Sequence, residues 1–337
     1  MKTWELHGFG LEYLKLTDRA IPKPGPNQLL VKVSAVSLNF RDKAIVAGIY
    51  LPHLMKMPLV PVSDAAGVVV EIGTEVTHFK PGDRVTSHLY PNWTDGLSHP
   101  SDVSDFALGG PIDGGLAEYM LLDEKGALKS PESLSDMGAA TLPIAALTAW
   151  FALVEHGRLQ AGQTIVTQGT GGVALFGIQL ASALGANVIA LSGSNDKLER
   201  VKSLGASGTI NYNENPDWER TVIELTDGRG ANNILNIAGG TTINKSVQAT
   251  ADGGQVSIIG FLENITANLD LLPVIFKATQ LRGILVGHLE AFKQMNTVIE
   301  KHNIKPVIDT IYSFNEAIAA YRHLERGAFG KIVISIE

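Results

Sequence analysis

A glycine-rich turn is the feature of this sequence whose residue types and spacing point most directly to chemistry. An apolar, strand-like segment and an apolar, helix-like segment flank five residues: Gly169, Thr170, Gly171, Gly172 and Val173. With Ala174 in the last place, the pattern fits G-x-G-x-x-G/A, in which glycine lets backbone amides approach a pyrophosphate at the positive end of a helix. Such turns are common, so the strand–turn–helix setting is what favours a dinucleotide site over an ordinary tight connection.

The residues about twenty positions further on indicate which dinucleotide the turn would hold. An NAD site usually has an acidic residue there, which binds the ribose 2′-hydroxyl. This sequence instead has Ser192, Gly193 and Ser194, followed by Lys197, whose charge suits a 2′-phosphate. Asp196 is the competing ribose ligand, but an acid three residues later makes it typical of a helix N-cap box. We therefore predict NADPH as the cofactor, with NADH as the alternative.

A dinucleotide site of this kind needs a parallel sheet, and the second part of the chain has the pattern for one. From Gln163 to Val286, short apolar segments predicted as strands alternate with predicted helices, and the connections are short. This alternation is typical of a doubly wound parallel sheet covered by helices on both faces. We predict an α/β domain over residues 126–288.

The first part of the chain is predicted to be mainly β. The segments Leu29–Val36, Gly67–Ile72 and Arg84–Ser87 are rich in valine and bounded by proline and glycine. Residues 90–115 form a long irregular excursion, a type of loop that is often functional. Because helices and strands resume after the α/β domain, we predict that residues 1–125 and 289–337 form one β-rich domain.

Composition excludes several classes of protein. The formal net charge is -7 and the sequence has no dense Lys/Arg stripe, which argues against nucleic-acid binding. Cysteine is absent, so disulfides and thiolate zinc sites are impossible. The uncharged run Met137–Val154 contains Pro143 and is expected to be a buried helix rather than a membrane span. We expect a cytoplasmic protein that binds neither nucleic acid nor membrane.

Several short motifs, specific only in combination, extend over almost the whole chain. They are SLNFRD at 37–42, EIG at 71–73, PGDRV at 81–85, GLAEY at 115–119, LTA at 147–149 and GKIV at 330–333. With the glycine turn, they make the chain similar to the medium-chain dehydrogenase/reductase superfamily, and within it to the zinc-independent, quinone-oxidoreductase-like members. The resemblance implies a GroES-like β-rich catalytic domain, a Rossmann domain and a nicotinamide cofactor in the cleft between them.

The resemblance also bears on the metal. Zinc-containing relatives place a cysteine, a His-Glu pair and a further cysteine or acid around a catalytic ion. The corresponding positions here are Asn39, Ser63 with Asp64, and Ile144. Zinc prefers nitrogen and sulfur ligands in a three-plus-one arrangement, and only Asp64 could still coordinate it. We therefore expect no metal site.

The same resemblance implies which residues form the site. Asn39 and Thr148 are expected to approach the nicotinamide and Tyr50 the substrate, which makes these three the catalytic candidates. A second tyrosine expected six positions before Tyr50 is Ala44 here. Further cofactor contacts are expected from Tyr212, Ala238, Gly239, Gly260, Phe261, Val286, Gly287 and Lys331.

The absence of metal ligands directs the predicted chemistry. Without a metal, alcohol oxidation loses its usual activation. Reduction of a quinone or an α,β-unsaturated carbonyl needs only a hydride donor, orientation, and stabilisation of a developing enolate or hydroquinone. We predict a zinc-independent NAD(P)H-dependent oxidoreductase that acts on a small, apolar carbonyl or quinone.

Two alternatives remain open at this point. One is a metal-independent alcohol or aldehyde dehydrogenase that uses Ser63 or Tyr50 as a proton relay, and the other is a non-catalytic NADPH-binding sensor. The resemblance further implies a homodimer paired through the last strand of the α/β domain, near Leu281–Val286.

Overall fold

The computed structural model describes residues 1–336, and they form two compact units. The first unit contains Met1–Leu147 together with the chain from His288 onward, and the second contains Thr148–Gly287.

The strands, in chain order, are β1 Lys2–Leu6, β2 Leu14–Asp18, β3 Gln28–Leu38, β4 Asp64–Ile72, β5 Arg84–Ser87, β6 Tyr119–Asp123, β7 Ala127–Lys129, β8 Thr164–Gln168, β9 Asn187–Ser192, β10 Gly208–Asn211, β11 Ala231–Asn236, β12 Thr250–Ile258, β13 Gln280–Gly283, β14 Ile308–Ser313 and β15 Lys331–Ser335. The α-helices are α1 Phe40–Val46, α2 Asp136–Ala139, α3 Leu147–Trp150, α4 Gly172–Ala183, α5 Asn195–Lys202, α6 Trp218–Leu225, α7 Thr242–Ala249, α8 Leu271–Lys277, α9 Leu289–Lys301 and α10 Ala317–Arg326. Single turns of 3-10 helix lie at Leu11–Tyr13, Pro52–Leu54, Val103–Phe106, Glu124–Gly126 and Phe314–Glu316.

The second unit is built on a six-stranded parallel sheet. Its strand order is β10-β9-β8-β11-β12-β13, with β8 in the interior and the chain running outward from it in both directions. Val166 and Ile234, on the two central strands, are fully buried because a doubly wound sheet is covered on both faces. The predicted Rossmann fold class is confirmed.

The first unit is built on a mainly antiparallel seven-stranded sheet. Its strand order is β14-β15-β3-β4-β5-β7. The remaining strand, β6, pairs with the first half of β3, whereas β15 pairs with the last four residues of β3. The tail strand β15 pairs with β3 from Ile332 opposite Leu38 to Ser335 opposite Ala35. The tail therefore completes the sheet of the amino-terminal segment, as the predicted GroES-like β-rich domain requires.

The first unit extends to Leu147, beyond the predicted boundary at residue 125. The reason is that β7 pairs with β5 from Val85 opposite Lys129 to Ser87 opposite Ala127. The backbone N–H of Ile144 also donates to the Asp64 carboxylate at 3.3 Å. A strand as short as β7 has too little periodicity to be predicted from its sequence, and the domain boundary depends on the pairing of that strand.

The apolar run at 137–154 does not form one regular helix. It consists of α2, a π-helical segment Leu142–Ala146, α3 and a second π-helical segment Phe151–His156. Pro143 lies at the start of the first π-helical segment and removes a backbone donor. Within residues 1–336, no helix has both the length and the apolar character needed to cross a bilayer.

Candidate active site

The glycine turn connects strand β8 to helix α4. Gly169 has a φ of 76°, a left-handed conformation that favours glycine, and its N–H donates to Leu191 O at 2.7 Å. Gly171 is the N-cap of the twelve-residue helix α4, and no side chain caps the helix or places an acid in its first turn. The first amides of α4 are therefore available to an anion.

Gly171 provides a test of whether a dinucleotide fits this turn. Its φ of −81° is accessible to any residue, and a Cβ atom built there would have no protein atom within 4 Å. Folding therefore does not explain the glycine. A ligand backbone that lies against the turn does, because a side chain would fill the space that a pyrophosphate requires. The turn thus fits the phosphates of a dinucleotide.

The other predicted cofactor residues of the second unit follow the ends of its parallel strands. Ser192 ends β9, Tyr212 follows β10, Gly239 follows β11 and Gly260 follows β12. Because all these strands run in one direction, their carboxyl ends share the edge of the sheet that carries the glycine turn. Ala238 and Phe261 lie in the same connections, whereas Val286 and Gly287 lie three and four residues beyond β13.

The segment after β9 differs in one detail from the prediction. Ser194, not Asp196, caps α5, since its hydroxyl accepts the N–H of Lys197 at 3.4 Å. Asp196 lies in the first turn, where a carboxylate favours the helix dipole. The Tyr212 hydroxyl lies next to Gly193, because a Cβ on that glycine would come within 2.9 Å of it. Ser194, Lys197 and Tyr212 therefore belong to one surface.

The structure also brings a carboxylate to this surface that the sequence pattern did not reveal. Glu214 Oε1 accepts hydrogen bonds from Asn195 Nδ2 at 2.6 Å and from Asn211 Nδ2 at 3.1 Å. Glu214 is 22 positions after Ser192, and it approaches because β10 pairs with β9. Two amides thus bind this carboxylate oxygen.

The first unit contains a buried polar cluster in which three of the predicted positions meet. Lys331, on β15, is 3 % exposed, and its ammonium donates to Asn39 Oδ1 at 2.5 Å and to Leu38 O at 2.9 Å. The same ammonium lies 3.7 Å from Asp64 Oδ2. The Lys331 donors are directed at these protein groups, and its predicted contact with the cofactor stays a prediction.

Asp42 also belongs to this cluster, through a hydrogen bond with the backbone of Asn39. It is fully buried, and its Oδ2 accepts the backbone N–H of Asn39, the N-cap of α1, at 2.7 Å. Burial, together with the nearby Asp64, raises the pKa of Asp42 to about 6, although Arg41, the hydrogen bond from Asn39 and Lys331 act in the opposite direction. Burial likewise raises the pKa of Asp64 and lowers that of Lys331, and the attraction between the two opposes both shifts.

The donor set at the metal position of zinc relatives does not fit zinc. Asn39 presents its oxygen to an ammonium group, Ser63 Oγ donates to Asp64 Oδ1 at 3.2 Å, and position 144 contributes only a backbone N–H. Asp64 is thus bound by hydrogen-bond donors on one side and by Lys331 on the other. Over residues 1–336 no group of three His, Cys, Asp or Glu side chains could hold a metal ion. The Lys331 ammonium thus lies beside Asp64, the one side chain at these positions that could still bind a metal.

Tyr50 lies in the first unit, in the segment after α1, and is half-buried. The Arg41 guanidinium lies 5.5 Å from the centroid of its ring, a cation–π distance. Burial raises the pKa of the Tyr90 hydroxyl, and Tyr50 raises it further through charge repulsion and a side-chain hydrogen bond, whereas Arg41 lowers it. A second tyrosine is therefore present beside Tyr50, although it comes from position 90 and not from position 44.

The third catalytic candidate, Thr148, lies on α3 in the second unit, and 3 % of its side chain is exposed.

A cavity of about 790 Å³ opens at the amino-terminal edge of the parallel sheet of the second unit, opposite the edge that carries the glycine turn. Gln163, Arg229 and Lys277 are among its lining residues, and it contains none of the predicted site residues. The cavity is thus separate from the glycine turn.

Comparison with known proteins identifies the family. A family model described as an alcohol dehydrogenase GroES-like domain matches residues 25–132, and one described as a zinc-binding dehydrogenase matches residues 172–301. A zinc-type alcohol dehydrogenase-like protein of Schizosaccharomyces pombe is 37 % identical, and the match covers 97 % of this chain and 96 % of that protein. The 2-methylene-furan-3-one reductase of Solanum lycopersicum is 32 % identical over 99 % of this chain and 79 % of its own length.

A solved structure gives the same result. The crystal structure of a putative alcohol dehydrogenase from Sinorhizobium meliloti is 43 % identical, with a TM-score of 0.93 and coverage of 99 % of this chain and 98 % of that one. The chain belongs to the medium-chain dehydrogenase/reductase superfamily. It is an oxidoreductase that uses a nicotinamide cofactor.

Proposed function

We propose that the chain is an NADPH-dependent, metal-independent reductase of a quinone or of a C=C bond conjugated to a carbonyl. The observation that carries the proposal is the position of Lys331, whose ammonium lies with Asn39 and Asp64 where zinc relatives bind their metal. A metal ion can coordinate the oxygen of an alcohol, but an ammonium group cannot. These residues therefore offer no Lewis acid for alcohol oxidation. They favour a reaction that needs hydrogen-bond donors alone.

The residues of the first unit suit such a reaction. A reduced nicotinamide, when bound, supplies a hydride. As the substrate accepts it, negative charge develops on the carbonyl or quinone oxygen, and preorganised donors stabilise that charge. The Tyr50 hydroxyl is such a donor, since the side chain is half-buried and the Arg41 cation lies 5.5 Å from its ring. Tyr50 can then transfer its proton to the reduced substrate as a general acid.

The substrate class is supported by the composition of the site and by one relative. Tyr50 packs against the apolar core of the first unit, which suits an apolar substrate. The name of the tomato relative, 2-methylene-furan-3-one reductase, denotes reduction of a compound that has a C=C bond next to a ketone. We infer the same class of bond for this chain.

NADPH is favoured over NADH by the surface after β9 and β10. In residues 1–336 the Lys197 ammonium has no hydrogen bond or ion pair, so its charge is available to a 2′-phosphate. The Glu214 carboxylate would repel that phosphate, but the Asn195 and Asn211 amides partly offset its charge. The balance of these groups supports NADPH.

We also propose that the chain forms a homodimer through β13 and α8. β13 is an edge strand of the parallel sheet, with unpaired backbone groups along one side. Six large apolar side chains are exposed nearby, at Leu262, Ile265, Leu271, Leu272, Ile275 and Phe276. An apolar surface of this extent is typical of an interface, and an edge strand paired with its own copy satisfies its free backbone groups.

The proposed reaction is tested by following cofactor oxidation. NADPH and NADH are compared against benzoquinones, enals and enones, each with and without a chelator. We expect faster oxidation of NADPH than of NADH with at least one of these substrates, and no effect of the chelator. A rate that is lost on chelation and restored by Zn²⁺ would contradict metal independence. Tight NADPH binding without turnover on any substrate would contradict the reductase assignment.

A further inference from the structure

Tyr90 is a buried tyrosine to which the predicted site assigned no role. It begins the long loop at 90–115, three residues after β5, and its side chain is 1 % exposed. Its ring lies 6.4 Å from that of Trp93, which anchors the same loop. A buried tyrosine hydroxyl needs a hydrogen-bond partner, and here the partner is the hydroxyl of Tyr50.

Arg41 connects the segment that carries Tyr50 to the loop that carries Tyr90. Its guanidinium donates to Leu108 O at 2.9 Å and also to Gly110 O, so it holds the far end of the loop that Tyr90 begins. The same guanidinium lies over the Tyr50 ring, and its charge acts on Tyr90. The two hydroxyls and the cation thus form a cluster, to which α1, the segment with Tyr50 and the loop each contribute one side chain.

The hydrogen atoms of the two hydroxyls can be assigned from burial. Each hydroxyl has one hydrogen to donate and two lone pairs that accept. Tyr90 is enclosed by protein and its hydroxyl has the Tyr50 hydroxyl as its hydrogen-bond partner, so its hydrogen is directed to the Tyr50 oxygen. The hydrogen of Tyr50 then remains for a group outside the pair. Only Tyr50 can reach a substrate, because it is the half-exposed member.

We propose that Tyr90 is a positioning residue for Tyr50: it donates to the Tyr50 oxygen, directs the Tyr50 hydrogen toward the substrate, and stabilises the tyrosinate left after proton transfer. This inference rests on the proposed function. In the step, the O–H bond of Tyr50 breaks and a new bond to that hydrogen forms on the reduced substrate. The negative charge stays on the Tyr50 oxygen, to which the Tyr90 O–H donates, and the Arg41 cation lies 5.5 Å from the centroid of the Tyr50 ring. Water then returns a proton to Tyr50, which restores the pair.

The pairing is tested by NMR without any turnover. The chain contains seven tyrosines, which are labelled with ¹³C at Cζ and assigned by single Tyr→Phe substitutions. We expect Tyr50→Phe to shift the Cζ resonance of Tyr90, and Tyr90→Phe to shift that of Tyr50. The control is Tyr13→Phe, since Tyr13 is exposed in the same unit, and it should move neither resonance.

The role of the pair is tested by kinetics with NADPH and an accepted enone or quinone. A hydrogen bond to a charged oxygen contributes enough that Tyr90→Phe should lower kcat about ten- to a hundredfold. The KM and the Kd for NADPH should change by no more than about twofold, because Tyr90 touches neither ligand. In the Tyr50→Phe background, the further Tyr90→Phe change should have no effect on kcat, because the two residues act as one unit.

Three results would overturn the inference. They are independent Cζ shifts of the two tyrosines, an unchanged kcat in Tyr90→Phe, and additive losses in the double variant. Tyr90→Phe keeps the buried ring, so it tests the hydroxyl without leaving a cavity. If the wild-type chain reduces no substrate, the proposed function fails, while the NMR result still decides whether the tyrosine pair exists.

Discussion

Asp42 shows how one buried residue near the site sets a pH dependence of stability. In the folded chain burial raises its pKa from 3.8 to about 6, so the folded state holds this proton more tightly than the unfolded state does. The stability contributed by the protonated carboxyl is fully present below about pH 3.8 and is lost as the pH rises toward 6. Over that window the loss amounts to roughly 3 kcal/mol.

We therefore predict that Asp42→Asn removes about 3 kcal/mol from the difference in unfolding free energy between pH 4 and pH 7. Asparagine keeps an oxygen that can accept the N–H of Asn39, so the N-cap of α1 is retained. The measurement is urea unfolding of both proteins at half-unit pH steps. Asp18→Asn, at a side chain that is 81 % exposed, is the control. Parallel pH curves for wild type and Asp42→Asn would show that this carboxyl does not titrate as described.

The chemistry of single residues was predictable from the sequence only where a motif carried it. Asn39 and Lys331 could be named, but their mutual hydrogen bond depends on the pairing of β15 with β3, which brings residues 292 positions apart together. Tyr90 had no motif at all, because its partner lies on a segment 40 positions away. Sheet register and loop path decide such contacts, and neither is visible in local spacing.

At the scale of elements, a substitution in the turn between β8 and α4 can change the affinity for NADPH without changing the stability of the fold. Gly171 has an ordinary φ and free space around its missing side chain. We predict that Gly171→Ala folds with an unchanged unfolding free energy, within about 0.5 kcal/mol, and raises the Kd for NADPH about tenfold or more. Isothermal titration and urea unfolding measure the two quantities. Gly138→Ala on α2 is the control, since its Cβ would make only ordinary contacts. Loss of stability with unchanged NADPH affinity would contradict the assignment of this turn.

Elements with strong periodicity were predicted well, and short or exposed ones were not. The interior strands β8, β9 and β11 follow from apolar segments that are almost entirely buried. By contrast α8 was not predicted, because seven residues with four exposed apolar side chains resemble neither an amphipathic helix nor a buried one. The predicted last strand was also too long, since β13 ends at Gly283 and Val286 has a φ of 45°.

At the scale of the whole molecule, the exposed apolar side chains of α8 and the edge position of β13 are the features on which the proposed homodimer rests. Phe276 is 82 % exposed and Ile275 is 66 % exposed, although both are large and apolar. In a dimer, burial of such side chains contributes about 2 kcal/mol each, and the β13 edges can pair with each other. We predict that the wild type has twice the 36.0-kDa mass of the chain in solution.

Substitution of the α8 face should separate the two copies. An unpaired charge at an interface costs several kcal/mol, so Phe276→Glu should weaken dimerisation by about a hundredfold or more. Sedimentation velocity over a range of concentrations measures the mass of each species. Leu225→Glu is the matched control, because Leu225 is 53 % exposed on α6 of the same unit and lies outside the proposed interface. A wild-type monomer, or an unchanged dimer in Phe276→Glu, would contradict this interface. Because the glycine turn lies within a single unit, the dissociated variant should still bind NADPH with the wild-type Kd, within about twofold.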